Sequence, residues 1–381
     1  MPCFIPVPLI LYYIIRNLNE ILLKLIKLQG GNMIKEKGMM IAIVVCTMLI
    51  VPLQLMALSV SFYIGDVSAV RDNKKIDITM GTEINSGDSI KTGAKSTVEL
   101  VYQDGSKITV LEKSTVRVGS QNIKDSDSIS LISGNITGKF EKLKKGSHKV
   151  YTPTIICAVR GTEFTVSVSD GGDSRIDLAE GKLALDNPYG SMELNPDERA
   201  DTIVSQKPEK AADDSTVENW QAEKNKELVE NPEEKSDQYD AHVSTFRVRN
   251  KSTSDSMDTY KKMVKKAGDQ KSLEKAGENI DTAEESIQND LLLNEASSAS
   301  LENIMKDFEA RNNSIYKKFK KLKEESNKVL EQQKKNYEAI QAVREAHRKA
   351  YEKIMGKFQN DRNQILNDLN MGDVKPKIDN K

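Results

Sequence analysis

The chain has 381 residues, of which 30% are charged and only 5% aromatic, and its formal net charge is -1. The length allows two or three structural units. A chain this charged and this poor in aromatic residues is not one compact globule throughout, so part of it is expected to be extended helix or disordered. The balanced charge provides no global field of the kind that binds nucleic acid, and no nucleic-acid partner is predicted.

The N-terminal region is dominated by apolar sequence. Residues 39–64 contain no charged side chain, and Lys35 and Lys37 stand just before them. A basic start followed by an apolar core is typical of a secretory signal or a signal anchor, and the lysines favour a cytoplasmic position for that end. We therefore predict a membrane helix at residues 33–61, either cleaved after Ser59 or retained as an anchor. The rest of the chain is then exported to the periplasmic side of the cell envelope.

Residues 1–32 form a second apolar stretch with leucine- and lysine-rich sequence behind it. Gln29, Gly30 and Gly31 lie just before Met33, and codons for these residue types can encode a purine-rich ribosome-binding sequence. We therefore interpret residues 1–32 as an extension of the gene model, with translation starting at Met33. The alternative is a second membrane-associated helix.

Between residues 62 and 205 short β-branched runs alternate with turn residues. Residues 97–101 and 107–110 are two such runs, and Asp104-Gly105 between them suits a tight hairpin turn. No long helical periodicity interrupts the runs, which favours an all-β domain over a parallel βαβ architecture. Residues 162–171 echo residues 97–106, so two copies of one unit are expected to stack. They would form either a short β-helix or a two-layer β-sandwich.

An ordered set of short motifs runs through this region. They are GDSIKTG at 87–93, VEL at 98–100, DGS at 104–106, SGNI at 133–136, TP at 152–153, VRGTEF at 159–164 and EGKL at 180–183. In this order and spacing they resemble the FecR domain of bacterial envelope proteins, over residues 65–204. The resemblance implies an extracytoplasmic module, and the regulators after which the domain is named relay a surface signal to a cytoplasmic sigma factor.

Two features of the β region are candidate binding sites. Arg160 precedes Gly161, and its planar guanidinium suits a bidentate anion or carboxylate; the alternative is a structural ion pair with a neighbouring strand. Lys142, Lys144 and Lys145 belong to a basic stretch at residues 139–149. That stretch is a candidate site for an anionic glycan or lipid, and the alternative is a solvated hairpin tip.

No catalytic or metal-binding pattern is visible in the sequence. The three histidines, His148, His242 and His347, are far apart and form no Cys/His cluster with metal-ligand spacing. Phosphate-binding glycine loops and a nucleophilic serine motif are absent. Residues 170–173, with the sequence DGGD, lack the further ligands of a calcium loop and are interpreted as a hairpin turn. We predict no enzymatic activity, no metal and no cofactor, and we interpret Cys157 as a small buried apolar residue.

Charged sequence with helical character follows at residues 206–300. Helix breaks are predicted around Asn231-Pro232 and at the serine-rich residues 251–256. Trp220, the only tryptophan, is predicted to anchor the first helix to the β domain. The Ser-Ser-Ala-Ser run at residues 297–300 is interpreted as a turn in which Ser300 caps the next helix.

Residues 301–370 carry the most regular pattern. One heptad frame contains Leu301, Met305, Phe308, Ile315, Phe319, Leu322, Val329, Ile340, Val343 and Ile354. A narrow apolar stripe of this period predicts a coiled-coil helix. The helix either self-associates with another chain or folds back on residues 257–296 as an antiparallel hairpin. Residues 371–381 are predicted to be a disordered end.

These features predict a non-enzymatic envelope protein whose FecR-like domain binds or scaffolds an envelope protein or cell-wall glycan. The helical tail would mediate self-association or partner binding. The alternative is a transmembrane regulator of the FecR type that controls a sigma factor. Such regulators carry a cytoplasmic helical domain before the membrane segment and a transporter-contacting domain at the end. Only residues 1–38 precede the apolar core here, and the chain ends in a coiled coil, so scaffolding is the expected role.

Overall fold

The structure is a computed structural model that describes residues 58–120, 128–142, 147–212 and 215–368, with side chains described up to residue 365. Residues 1–32, nearly all of the membrane segment predicted at 33–61, and the predicted disordered end lie outside these ranges. Within them, no helix combines the length and the apolar character needed to cross a membrane.

The described part of the β domain contains seventeen short strands. They are β1 (Leu58–Ile64), β2 (Val67–Arg71), β3 (Lys74–Ile76), β4 (Glu83–Ile84), β5 (Ser89–Thr92), β6 (Thr97–Val101), β7 (Lys107–Val110), β8 (Thr115–Val118), β9 (Ser128–Lys139), β10 (His148–Tyr151), β11 (Ile156–Val159), β12 (Glu163–Val168), β13 (Ser174–Glu180), β14 (Leu183–Asn187), β15 (Gly190–Leu194), β16 (Arg199–Thr202) and β17 (Glu209–Lys210). The described part of the domain therefore includes residues 58–61, which lie before the predicted start at residue 62. The apolar residues Leu58 and Val60 are buried in its core. Because a β core and a membrane helix both require apolar side chains, the sequence pattern assigned these two residues to the membrane segment.

The strands form two sheets that share β9. The first sheet has the order β4-β1-β6-β7-β9-β12-β13-β16-β17. The second has the order β3-β2-β5-β8-β9-β10-β11-β14-β15. The repeat predicted between residues 97–106 and 162–171 corresponds to the hairpins β6–β7 and β12–β13, which flank β9 in the first sheet.

Strand β9 crosses from one sheet to the other at Gly134. Residues 128–133 pair in the second sheet and residues 134–139 in the first. Gly134 has φ +91°, and a Cβ there would lie 2.5 Å from Ser114 Cα. Both the positive φ and the close backbone therefore require glycine at the crossing point.

The two sheets pack face to face around one apolar core. The core joins side chains of the first sheet, such as Val98 and Val166, to side chains of the second, such as Ile90 and Val159. Among the described strands only β9 and β10 pair in parallel. This is the arrangement of a two-layer sandwich, since a β-helix stacks parallel strands. Cys157 lies in the core as predicted, where burial raises the pKa of its thiol to about 12.

Four helices follow the sandwich within the described residues. They are α1 (Val217–Glu230), α2 (Pro232–Lys266), α3 (Gln270–Glu309) and α4 (Asn313–Asp368). Their starts carry the expected signals: the Thr216 side chain caps α1, Pro232 opens α2, and Asp269 forms a capping box with Ser272 at α3. The break predicted around residues 231–232 is present.

The other predicted interruptions are wrong. Helix α2 continues through residues 251–256, where Thr253 and Ser256 donate their hydroxyls to the carbonyls of Arg249 and Ser252 one turn back. Helix α3 likewise continues through residues 297–300 and ends only at Glu309. Ser256, Ser298 and Ser300 find hydrogen-bond partners for their hydroxyls inside these helices, so the serine-rich runs did not mark turns.

The observed break before the last helix lies at residues 310–312. Asn312 accepts hydrogen bonds from the backbone of Ser314 and Ile315 and so caps α4. The single heptad frame predicted from residue 301 therefore belongs to two helices. Its members on either side of the break, Leu301 and Phe319 among them, pack against each other in one cluster.

Helix α4 folds back along α3 and α2, as the hairpin alternative predicted. Buried polar pairs set the register: Asn294 Nδ2 donates to Gln333 Oε1 at 2.8 Å, and Asn336 donates to the carbonyl of Asn250 at 2.9 Å. Buried amide pairs of this kind select one register among the apolar alternatives. Gln333 and Asn336 of α4 thus meet partners on neighbouring helices of the same chain.

His242 joins α2 to the β14–β15 turn. Its Nδ1 lies 2.9 Å from Tyr189 Oη, and the Phe246 ring packs edge-on at a centroid distance of 4.8 Å. The imidazole is fully buried, and this burial lowers its pKa from 6.5 to about 4. A charged imidazolium here would lose its hydration without gaining an acidic partner.

Acid is therefore expected to destabilise the contact between α2 and the sandwich. The unfolded chain binds a proton at His242 below pH 6.5, whereas the folded chain does so only near pH 4, so stability is lost as the pH falls between these values. Lowering the pH from 7 to 5 should remove about 2 kcal/mol through this residue. Replacing it (His242→Gln) should flatten that part of the pH dependence in thermal unfolding followed by circular dichroism. Val248→Gln, at an exposed position of the same helix, is the control and should leave the wild-type slope.

Candidate functional site

An open groove lies on the outer face of the first sheet. Its volume is about 540 Å³, and it runs over β12, β13, β16 and β17. Strand register places four of its side chains in one row: Thr137 pairs with Thr165, Thr165 with Asp177, and Asp177 with Arg199. Glu163 and Phe164, from the VRGTEF motif, line the same groove. Sequence reasoning named the motif but could not identify this row, because the row depends on the pairing of four strands.

The charges of the groove are arranged in pairs. Arg199 Nε donates to Asp177 Oδ1, Lys210 Nζ lies 2.6 Å from Glu198 Oε1, and Lys139 Nζ lies 3.0 Å from Glu163 Oε2. The hydrogen bond from Lys210 lowers the pKa of Glu198 to about 2.

A catalytic acid must keep its proton near neutral pH, and Glu198 does not. Asp177 Oδ2 is buried and accepts no hydrogen bond from the described residues. The half-buried side chains of Thr137 and Thr165 suit the groove to hydrogen bonding with a polar ligand, while Glu198 is unsuited to proton donation.

Of the four predicted binding residues, the structure describes Arg160 and Lys142. Arg160 and Lys142 are both exposed, and Lys142 Cβ lies 3.2 Å from the point that a Cβ on Gly161 would occupy. The two candidate features are thus neighbours, and Arg160 lies three residues before Glu163 in the chain. Lys144 and Lys145 lie outside the described residues, and binding by any of these four remains a prediction.

The turn between β12 and β13 contains the DGGD residues 170–173 and inserts among the helices. Gly172 has φ +86°, and a Cβ there would overlap Tyr239 Oη and lie 2.9 Å from Ser300 Oγ. Tyr239 Oη donates to the Gly171 carbonyl at 3.2 Å. The hairpin-turn interpretation of these residues is confirmed, but their packing against α2 and α3 could not be seen in the sequence.

Asp173 and Lys235 form a buried ion pair at the base of this turn. Lys235 Nζ donates to both carboxylate oxygens at 2.8 Å, and the backbone NH of Val204 donates to Oδ1 at 3.1 Å. The two side chains are only 3% and 8% exposed. A buried charge is tolerated when it is paired and fully hydrogen-bonded, so the two residues hold α2 on the sandwich. Asp173 therefore has a structural role, and no cluster of acidic, histidine or cysteine side chains in the described residues is arranged to hold a metal.

A second buried cation, Arg175, lies on β13 two residues after Asp173. Arg175 donates Nε and Nη2 to the two carboxylate oxygens of Asp201 at 2.7 Å each, and Nη1 to Ser215 Oγ at 2.9 Å. Its guanidinium lies 5.2 Å from the centre of the Trp220 ring, a cation–π contact. Trp220 is 2% exposed, which confirms the prediction that it anchors the first tail helix to the β domain.

Comparison with known proteins identifies the sandwich. Residues 88–184 match the sequence model of the family described as FecR protein. The sandwich contains a FecR domain. The match runs from the residue before β5 to the start of β14, and it includes the VRGTEF motif, Asp173 and Arg175. Lys235 and Trp220 lie beyond its end, so the helical tail is docked on the FecR domain from outside the matched region.

Two solved structures resemble part of the chain. Both are crystal structures of a candidate anti-sigma factor from Parabacteroides distasonis ATCC 8503, with 17% and 18% identity and TM-scores of 0.29 and 0.30. Each similarity covers 35% of this chain and 63% of that protein. No curated protein matches the chain.

Removing the cation of the buried pair should weaken the docking of the tail. Lys235→Met leaves the Asp173 carboxylate buried without its partner, which is expected to cost about 3–5 kcal/mol. Adding Asp173→Asn should recover part of that loss, because the uncompensated charge is then gone. Thermal unfolding of the full chain in detergent, followed by Trp220 fluorescence, measures both effects.

The matched control removes an exposed lysine that pairs with the same helix. Lys318→Met breaks the surface pair with Glu233 and should change stability by less than about 1 kcal/mol. Equal effects of Lys235→Met and Lys318→Met would show that the buried pair has no special role.

Proposed function

We propose that this protein is a non-enzymatic regulator of the FecR type, in which binding to the FecR domain is transmitted to the helical tail. The observation that supports the proposal most is the burial of the β12–β13 turn among the tail helices. The FecR domain at residues 88–184 is consistent with this role. The finer parts of the proposal are control of a sigma factor, a membrane anchor at residues 33–61 and a periplasmic position for the sandwich.

The groove and the tail contact lie on one hairpin. Thr165 of β12 and Asp177 of β13 belong to the groove, and the turn that joins these strands carries Asp173, which is paired with Lys235. Asp177 follows Asp173 by about 13 Å of extended strand. A ligand that shifts the hairpin in the groove would therefore act on the buried pair, and so on α2.

The alternative function is an envelope scaffold that binds an envelope protein or a cell-wall glycan. The exposed cations Lys139, Lys142 and Arg160 around Glu163 favour it, since a basic rim beside a polar groove suits an anionic polymer. In a scaffold the groove would serve attachment alone, and its contact with the tail would carry no signal.

Transcription separates the two functions. In cells that make this protein naturally, the chromosomal gene is replaced by a copy that encodes one of two variants. Thr165→Arg fills the groove, and Lys235→Met uncouples α2 from the β12–β13 turn. If the protein is a regulator, both variants should change the expression of the same genes that respond when the whole gene is deleted. RNA sequencing measures this directly.

The control variant is Val248→Asp, at an exposed position of α2 that is 70% accessible, and it should leave transcription at the wild-type level. If deletion and both variants leave transcription unchanged while cross-linking from the groove captures an envelope protein or glycan, the regulator proposal is wrong and the scaffold is favoured.

A further inference from the structure

Helix α4 extends past the helices that it packs against. It has 56 residues, whereas α3 has 40. His347 Nε2 lies 2.8 Å from the carbonyl oxygen of Leu273, near the start of α3, so α4 passes the end of α3 close to residue 351. At about 1.5 Å per residue, residues 352–368 extend roughly 25 Å beyond that end. These residues are called the overhang below.

The overhang continues the apolar stripe that α4 buries elsewhere. Ile340 and Val343 are 0% and 2% exposed where α2 and α3 cover them. In the overhang the stripe continues at Ile354, which falls on the heptad position of Ile340, and at Phe358 and Ile365, which lie one residue past the position of Val343. Of these, Phe358 is 54% and Ile365 58% exposed. A stripe that is covered along one part of a helix and bare along the next is typical of an interaction surface.

A groove opens beside the base of the overhang. It has a volume of about 500 Å³, and its apolar lining includes Val264, Ala346 and Ile354. Its rim carries Lys261, Lys265, Lys353 and Lys357. The groove thus places apolar surface and positive charge next to the start of the bare stripe.

We propose that the overhang and this groove bind a second copy of the same chain, antiparallel. A pairing centred between residues 359 and 360 sets Ile354 of each copy against Ile365 of the other. It also sets Phe358 against Asp361 of the other copy. Ile365 then reaches the mouth of the second copy's groove, and each copy covers the stripe that the other exposes.

Asp361 selects the antiparallel orientation. It occupies a heptad position in the middle of the stripe, so a parallel pair would set it against the second copy's Asp361, and like charges in the seam are unfavourable. In the antiparallel register the second copy's Lys357 lies next to it, and opposite charges meet.

Disulfide cross-linking in the full chain tests the proposal. Cys3 and Cys46 are replaced by serine, while Cys157 is kept because it is fully buried with a pKa of about 12. Two differently tagged copies, one with Ile354→Cys and one with Ile365→Cys, are produced together and oxidised in membranes. We expect disulfide-linked pairs between the two tags, and only weak links when either variant is paired with itself.

Two controls make the result specific. Phe358→Asp, added to both copies, should abolish most of the linked product. Val248→Cys, at an exposed position on α2 away from the overhang, should give none.

Strong links between identical positions would overturn the antiparallel register. Absence of links in every combination, with Trp220 fluorescence unchanged, would overturn the proposal, as would links to other proteins alone. Neither result would affect the proposed regulatory role, because the groove on the first sheet and the β12–β13 turn are not part of the overhang.

Discussion

The ion pair between Asp173 and Lys235 is the contact on which the arrangement of the described residues depends. Both side chains of the pair are less than a tenth exposed, and a buried pair is stable only when its hydrogen-bond geometry is good. The Asp173 carboxylate accepts two hydrogen bonds from the lysine and one from the backbone of Val204. Burying these charges gives the turn a single position among the helices. Any other placement that kept the turn buried would leave an unpaired charge out of water, which is costly.

Small residues allow that position. Gly172 leaves room for Tyr239 and Ser300, so the turn packs closely against α2 and α3 at one point. Arg175 then extends the contact along β13, with Asp201 on the sandwich and Trp220 on the first helix. The FecR domain and the tail consequently share buried polar groups as well as apolar surface. This shared hairpin links the groove to the helices and is the physical basis of the proposed regulation.

The local features of the fold were predictable from sequence. The β6–β7 hairpin followed from alternating apolar residues and Asp104-Gly105, and the motif order around Arg160 identified the FecR domain. The role of Trp220 followed from its position as a lone aromatic residue in charged sequence. Each of these signals depends on neighbouring residues, so a single sequence carries it.

The features that depend on distant residues were missed. Ser300 was interpreted as a helix cap, but it lies buried inside α3 against Tyr239, a residue far away in the chain. The polar row of the groove exists only because four strands pair in one register. Leu58 was assigned to the membrane segment because its apolar side chain suits a lipid environment and a β core equally.

Hydrogen exchange of the full chain, followed by mass spectrometry, tests the central claim that the FecR domain and the tail form one coupled unit. The account predicts that peptides from β13 and from the first half of α2 open together, with similar protection, and that Lys235→Met lowers the protection of both. If Lys235→Met lowers the protection of α2 alone and leaves β13 unchanged, the hairpin does not couple the two parts and the account is contradicted.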